Sequence, residues 1–271
     1  MRIYKQIFNF YIDGSIHVAL SCYALVRMTQ QMFQIFQDET IAYFAFFGTI
    51  VGYNFVKYEA LARAKKAQMR KELKVISVLS FLSLLVVGFY FFQLQRITQI
   101  ISFAVLVLTL LYTLPFFPNR KNARNWAGLK IYIVALCWVG VTVVLPVLNA
   151  EIDITSDFYL KCVQRFLLIF ALILIFEIID LANDDPHLQT VPQQIGVKRT
   201  KIVGMLLLIP FYFLEFLKTN FDQKQLIVNL ILVSIISLFL LLANEKRSKY
   251  YTSFWVESIP ILWLLMLVLF Q

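Results

Sequence analysis

Read from its N-terminus, the chain alternates long apolar runs with short polar stretches. The apolar runs have the length that crosses a bilayer, whose hydrocarbon core calls for about 17–25 predominantly apolar residues in a helix. Such runs fall at 15–36, 40–62, 73–94, 98–117, 127–148, 158–183, 199–217, 224–244 and 252–270. The pattern predicts an all-α integral membrane protein, a bundle of nine transmembrane helices forming one domain over 1–271. Only the short stretch holding Gln93, Gln95 and Arg96 separates the third run from the fourth. Arg2 and Lys5 are not followed by a short apolar region with a small-residue cleavage site, and Arg27 sits well inside the first run, so no cleaved signal peptide is expected.

Composition supports lipid as the solvent. Apolar residues make up 60% of the chain and charged ones 15%, against roughly 45–50% and about 25% in a soluble globular domain. The apolar surplus exceeds what one soluble interior hides, so it faces hydrocarbon. Cys22, Cys137 and Cys162 lie far apart, as do His17 and His187. They form neither a disulfide framework nor a zinc spacing and read as structural residues.

The net charge of +9 would suggest a nucleic-acid partner if it were spread over one surface. It alternates by loop instead. One side receives Arg2 and Lys5, Lys57 to Lys74, Arg120 to Lys130, Lys198 to Lys201 and Lys246 to Lys249. The other receives Arg96, Lys161, Arg165, Lys218 and Lys224, together with Asp38, Glu39, Glu151, Asp153, Asp157 and Asp222. The positive-inside rule then places the N-terminus in the cytoplasm and Gln271 outside, in a multi-pass protein of the inner (plasma) membrane. No nucleic-acid partner is expected; membrane lipid is.

Ionisable groups at membrane depth point to function when they face the bundle interior. Glu177, Asp180 and Asp184 fall at i, i+3 and i+7 near the end of the sixth run, one carboxylate stripe on an otherwise apolar helix. Such a stripe calls for a cation, either Mg²⁺, which favours carboxylate and phosphate oxygens, or a lysine ammonium; the alternative is a helix end whose acids are solvated. Asn54, Lys57 and Tyr58 share a face at the end of the second run, with Glu59 about 140° away from Asn54. The alternative for that face is an interfacial tyrosine beside a snorkelling lysine. Arg27, Gln31 and Gln34 form a third polar stripe, with Glu257 as a counter-ion for Arg27.

The order of these features resembles the UbiA superfamily of intramembrane prenyltransferases. That family carries N-x-x-x-D-x-x-x-D after its second helix and D-x-x-x-D after its sixth, the latter followed by a threonine-proline stretch and a glycine. Here the second motif reads Asp180 to Asp184, followed by Thr190, Pro192 and Gly196. The stretch from Tyr112 to Pro115, with Gly128 to Lys130 and Val134 to Trp138, is similar to the family's entry into its fifth helix. In the first motif Asn54 stands at the asparagine position, but Tyr58 and Ala62 stand where the family has aspartates.

The resemblance implies transfer of a polyprenyl group from its diphosphate to an aromatic or other lipophilic acceptor. Asp180, Asp184 and Asn54 would be catalytic, with Mg²⁺ on Asp180 and Asp184; Lys57, Tyr58, Glu177, Lys198 and Arg199 would bind substrate. The missing first acidic pair implies an alternative, a non-catalytic isoprenoid- or lipid-binding or scaffold subunit of a membrane complex, with protein partners. Lys57 either neutralises Asp180 or Asp184 or binds one phosphate. A transporter would use similar polar helices, but no internal repeat or matched pair of broken helices supports one.

Overall fold

The computed structural model describes residues 2–36, 38–64, 71–114, 128–182, 184, 188–219 and 222–269. Asn183, Asp185, His187 and Gln271, with the basic residues Lys65, Lys66, Arg70, Arg120, Lys121 and Arg124, lie outside the described residues, as do the side chains of Glu59 and Ala62. Helix α1 (Arg2–Asp13) leads through Gly14 and Ser15 into α2 (Ile16–Met32), followed by α3 (Glu39–Ala64), α4 (Lys71–Phe91) and α5 (Arg96–Thr113). Next come α6 (Leu129–Asn149), α7 (Ser156–Asp180), the short α8 (Val191–Ile195), α9 (Val197–Leu217), α10 (Gln223–Leu242) and α11 (Tyr251–Leu269). No strand occurs among the described residues.

Each apolar run of the sequence overlies one of the long helices, α2 to α7 and α9 to α11. Seven of these, α4 to α7 and α9 to α11, are long and apolar enough to cross a membrane, and the chain is a multi-pass membrane protein. α2 and α3 fall outside that set because they carry the polar load. α2 has 17 residues, among them His17, Ser21, Arg27, Thr29 and Gln30, and α3 includes Glu39, Asn54 and Lys57.

α7 is the axis of the bundle. Two thirds of its apolar stretch (67%) is buried, against 11% for α4 and 17% for α5. Leu168, Leu172 and Ile175 of α7 pack against Leu208 and Phe211 of α9, Val228, Leu232 and Ile236 of α10, and Trp263 of α11. α4 turns Val78, Phe81, Leu85 and Phe89 outward, an apolar surface far larger than water-facing monomers tolerate and suited to lipid.

α1 has no counterpart among the predicted elements. It is too short to span, and its pattern is amphipathic: Ile3, Tyr4 and Ile7 are exposed while Ile12 turns inward. It ends at Gly14, where a Cβ would stand 2.8 Å from the Phe10 carbonyl oxygen, so only glycine fits without a shift. Ser15 then adopts the left-handed region, at φ 61°, and α2 starts in a new direction. The α1–α2 junction is thus a sharp elbow.

A proline links α2 to α6. Pro146 has no N–H to donate to the carbonyl of Thr142, one helical turn earlier. That carbonyl accepts the Thr29 hydroxyl of α2 at 2.6 Å instead. The freed acceptor lies in a π-helical turn, Gly140–Val144, a geometry that local loss of the regular hydrogen-bond ladder favours.

Candidate functional site

The acidic motif stands at the C-terminal end of α7. Glu177 is buried, and its Oε2 accepts the backbone N–H of Val191 at 3.0 Å. This bond pins the start of α8, where Thr190 and Gln193 form a reciprocal capping box and Pro192 occupies the first turn. Gly196, at φ 80°, ends α8 and opens α9. The match read as a binding motif is therefore also a folded unit tied to α7 by Glu177. Lys130 of α6 lies within the electrostatic reach of Glu177, a basic neighbour that the helical spacing within α7 does not reveal.

Asp180 is exposed and Asp184 half-buried, and the N–H of Asp184 donates to the Asp180 carbonyl at 2.9 Å, keeping the two one turn apart. Oδ2 of Asp184 is shielded from solvent and accepts no hydrogen bond from the described residues. Magnesium retains several waters and takes one or two carboxylates together with substrate phosphates. Asp180 and Asp184 fit that requirement; Glu177 has one oxygen committed to Val191. Among the described residues no three His, Cys, Asp or Glu side chains gather to hold an ion unaided. Lys198 and Arg199 are exposed on the first turn of α9.

The Asn54 face of α3 goes elsewhere. Nδ2 of the buried Asn54 donates to the Gly14 carbonyl at 3.1 Å and to the Ser80 hydroxyl of α4 at 2.9 Å. Lys57 Nζ donates to the Ser15 hydroxyl at 3.1 Å, and the Tyr58 hydroxyl donates to the Asp13 carbonyl at 2.8 Å. Three side chains at i, i+3 and i+4 thus bond three consecutive residues of the elbow. Asp13 is the last residue of α1 and Gly14 follows it, where carbonyls lack helical partners, and α3 supplies the donors. The bonded partner of Lys57 is Ser15 rather than Asp180 or Asp184.

α11 secures the other side of the elbow. His17 accepts from or donates to the Tyr11 hydroxyl at 2.6 Å through Nδ1, and its Nε2 lies 2.9 Å from the Phe254 carbonyl and 3.0 Å from the Ser258 hydroxyl. Ser21 donates to the Glu257 backbone carbonyl, and the Glu257 carboxylate lies within electrostatic reach of Lys57. Glu257 is not the counter-ion of Arg27. Arg27 is six residues, about 9 Å of helix, beyond Ser21, and its guanidinium pairs with Glu39 at 3.2 Å. The inward glutamine of α2 is Gln30, bonded to the Asp38 carbonyl, while Gln34 is exposed.

A second polar cluster lies in the first half of α7, away from Asp180. Lys161 and Arg165, which the charge pattern assigns to the outer boundary, are buried at 2% and 0% exposure. Arg165 bonds the Thr142 hydroxyl at 2.9 Å, the Thr29 hydroxyl at 3.3 Å and the Leu25 carbonyl. Glu215 of α9 accepts from Lys218 at 2.5 Å, Gln164 at 3.0 Å and Asn229 at 2.9 Å. Lys161 Nζ lies 4.9 Å from the centroid of the Trp263 ring. Burying an ion costs several kcal/mol even after relaxation, and a desolvated cation–π contact returns only about 2 kcal/mol. A lysine and an arginine one turn apart in an apolar helix, with Glu215 in a later one, were the available sequence signal for this cluster.

The chain has no significant match to a protein-family model, to a curated protein or to a solved structure.

Proposed function

We propose that the protein is a UbiA-like membrane protein that holds an isoprenoid lipid through its diphosphate at the acidic end of α7. In this reading the bundle binds the lipid without carrying the family's full two-motif chemistry. The observation that supports it is the contrast between the two motifs. The donors Asn54 Nδ2, Lys57 Nζ and Tyr58 hydroxyl are engaged by the elbow residues Gly14, Ser15 and Asp13, with the acceptor Asn54 Oδ1 left unpaired, whereas at the acidic end of α7 Asp184 Oδ2 is shielded and has no donor among the described residues. One Mg²⁺ on Asp180 and Asp184 would bridge to the diphosphate, with Lys198 and Arg199 neutralising the remaining charge. The polyprenyl chain would lie along the apolar helices toward lipid. In the same reading all nine long helices cross the plasma membrane, the N-terminus faces the cytoplasm, and further protein subunits are its partners.

The second reading is the prenyltransferase. Its support is the retained pair Asp180 and Asp184 beside the exposed cations Lys198 and Arg199, which would stabilise the departing diphosphate as the allylic C–O bond breaks. Full-length protein in detergent, incubated with a radiolabelled polyprenyl diphosphate, Mg²⁺ and an aromatic acceptor, separates the two. Mg²⁺-dependent binding lost in Asp184→Asn, without release of diphosphate, is the expected result. Diphosphate release coupled to an alkylated acceptor would establish the transferase, and no metal-dependent binding would defeat both.

A further inference from the structure

Arg165 is fully buried, and the atoms its guanidinium touches are neutral oxygens of Thr29, Thr142 and Leu25. Its Nε, the Nζ of Lys161 and the Nε1 of Trp263 are buried donors with no acceptor among the described residues. The three belong to one neighbourhood, since Lys161 Nζ lies 4.9 Å and Arg165 Cζ 5.7 Å from the centroid of the Trp263 ring. Among the described residues, the cations that act on Lys161 are Arg165 and Lys218, and the acid in reach is Glu215. Both oxygens of Glu215 are already engaged, Oε1 by Lys218 and Oε2 by Gln164 and Asn229. The interior here therefore holds three cationic side chains against one carboxylate, and its unused hydrogen bonds include three donors around one indole. A buried excess of one sign is met by a counter-charge or by loss of the charge.

We infer that this cluster is a binding site for a small monovalent anion of halide size, held by Lys161 Nζ, Arg165 Nε and Trp263 Nε1. The class of anion follows from the setting: Trp263, Arg165 and Lys161 are fully closed from solvent, so an ion held there must shed its water, which costs a monovalent anion far less than a phosphate or a lipid headgroup. The site is separate from the acidic end of α7 and does not depend on the isoprenoid reading.

The test uses the full chain purified in detergent with gluconate as the only anion. Chloride and bromide are titrated in at constant ionic strength while thermal unfolding is followed. The midpoint rises saturably with either halide and not with gluconate; Lys161→Met abolishes the rise. Trp263→Phe, which keeps a ring and loses the indole N–H, raises the half-saturating concentration about two- to tenfold, the loss of one hydrogen bond. A midpoint indifferent to anion identity overturns the inference and leaves the donors to water or to a neutral lysine. Bromide anomalous scattering at the Lys161–Trp263 contact supports the site independently of any variant, and bromide bound only elsewhere overturns it.

Discussion

The Lys57 ammonium donates to the Ser15 hydroxyl across 3.1 Å, so the cation near the end of α3 is part of a clamp on the bend between α1 and α2. Asn54 and Tyr58 complete the clamp on the flanking carbonyls of Gly14 and Asp13. Without those donors the carbonyls that end α1 would face an apolar surrounding with hydrogen bonds unmet, a cost that rises with burial.

The clamp predicts stability effects before functional ones. Tyr58→Phe removes one hydrogen bond and lowers stability by about 0.5–1.5 kcal/mol, and Lys57→Met removes one from a charged donor and costs about 1.5–3 kcal/mol. Reversible unfolding in micelles measures both. Metal-dependent binding of polyprenyl diphosphate is expected to stay intact in either variant. Lost binding with unchanged stability would reassign Lys57 to the ligand.

Glu177 is expected to act as a fastener for α8. Glu177→Ala leaves the Val191 N–H without its acceptor at a cost of about 1–3 kcal/mol, while Glu177→Gln keeps a carbonyl oxygen in place and costs less. Hydrogen exchange over Thr190 to Gly196 reads the difference locally: faster in the alanine variant and close to the parent in the glutamine variant. Equal exchange in all three would mean that the capping box alone holds the segment.

Two ion pairs of similar appearance are expected to differ in worth. Arg27–Glu39 keeps 35% and 52% of its side chains exposed, and Glu39→Ala costs about 1 kcal/mol or less. Glu215 is 2% exposed and faces Lys218 at 2.5 Å, with Lys161 nearby. Glu215→Gln leaves buried cations without their carboxylate and costs about 3–5 kcal/mol. Unfolding midpoints that ranked the two variants equally would contradict the burial difference.

The proposed nine crossings with a cytoplasmic N-terminus predict a specific labelling pattern. In a background with Cys22, Cys137 and Cys162 replaced by serine, cysteines at Lys5 and Glu245 react with an impermeant maleimide only after the cells are opened. Cysteines at Glu151 and Asp222 react in intact cells. Labelling of positions 5 and 222 from the same side would remove one crossing from the bundle.

The apolar runs were legible because span length is a one-dimensional property. About 20 apolar residues make a helix that lipid accepts, whatever stands beside it. Glu177 and Asp180 were legible as a helical period on one segment, but the expected third member of the stripe, Asp184, lies beyond the end of α7 at Asp180. α1 was missed because its apolar residues are too few for a span and its meaning depends on packing against α2. The Arg27–Glu257 pairing failed because helix spacing reports which residues share a face and not where along a neighbouring helix that face ends.

The sequence by itself determined an all-helical, multi-pass membrane protein, since apolar length is a property of contiguous residues. Tertiary structure decided the partners. Lys57 finds Ser15 at a sequence separation of 42 residues, and Arg165 finds Thr29 at 136. Trp263 lies against Lys161 from the far end of the chain. A polar group inside a bilayer bonds whatever donor or acceptor packing brings within reach, and that neighbour is set by the elbow at Gly14 and the acceptor freed by Pro146, not by the residues beside it in sequence.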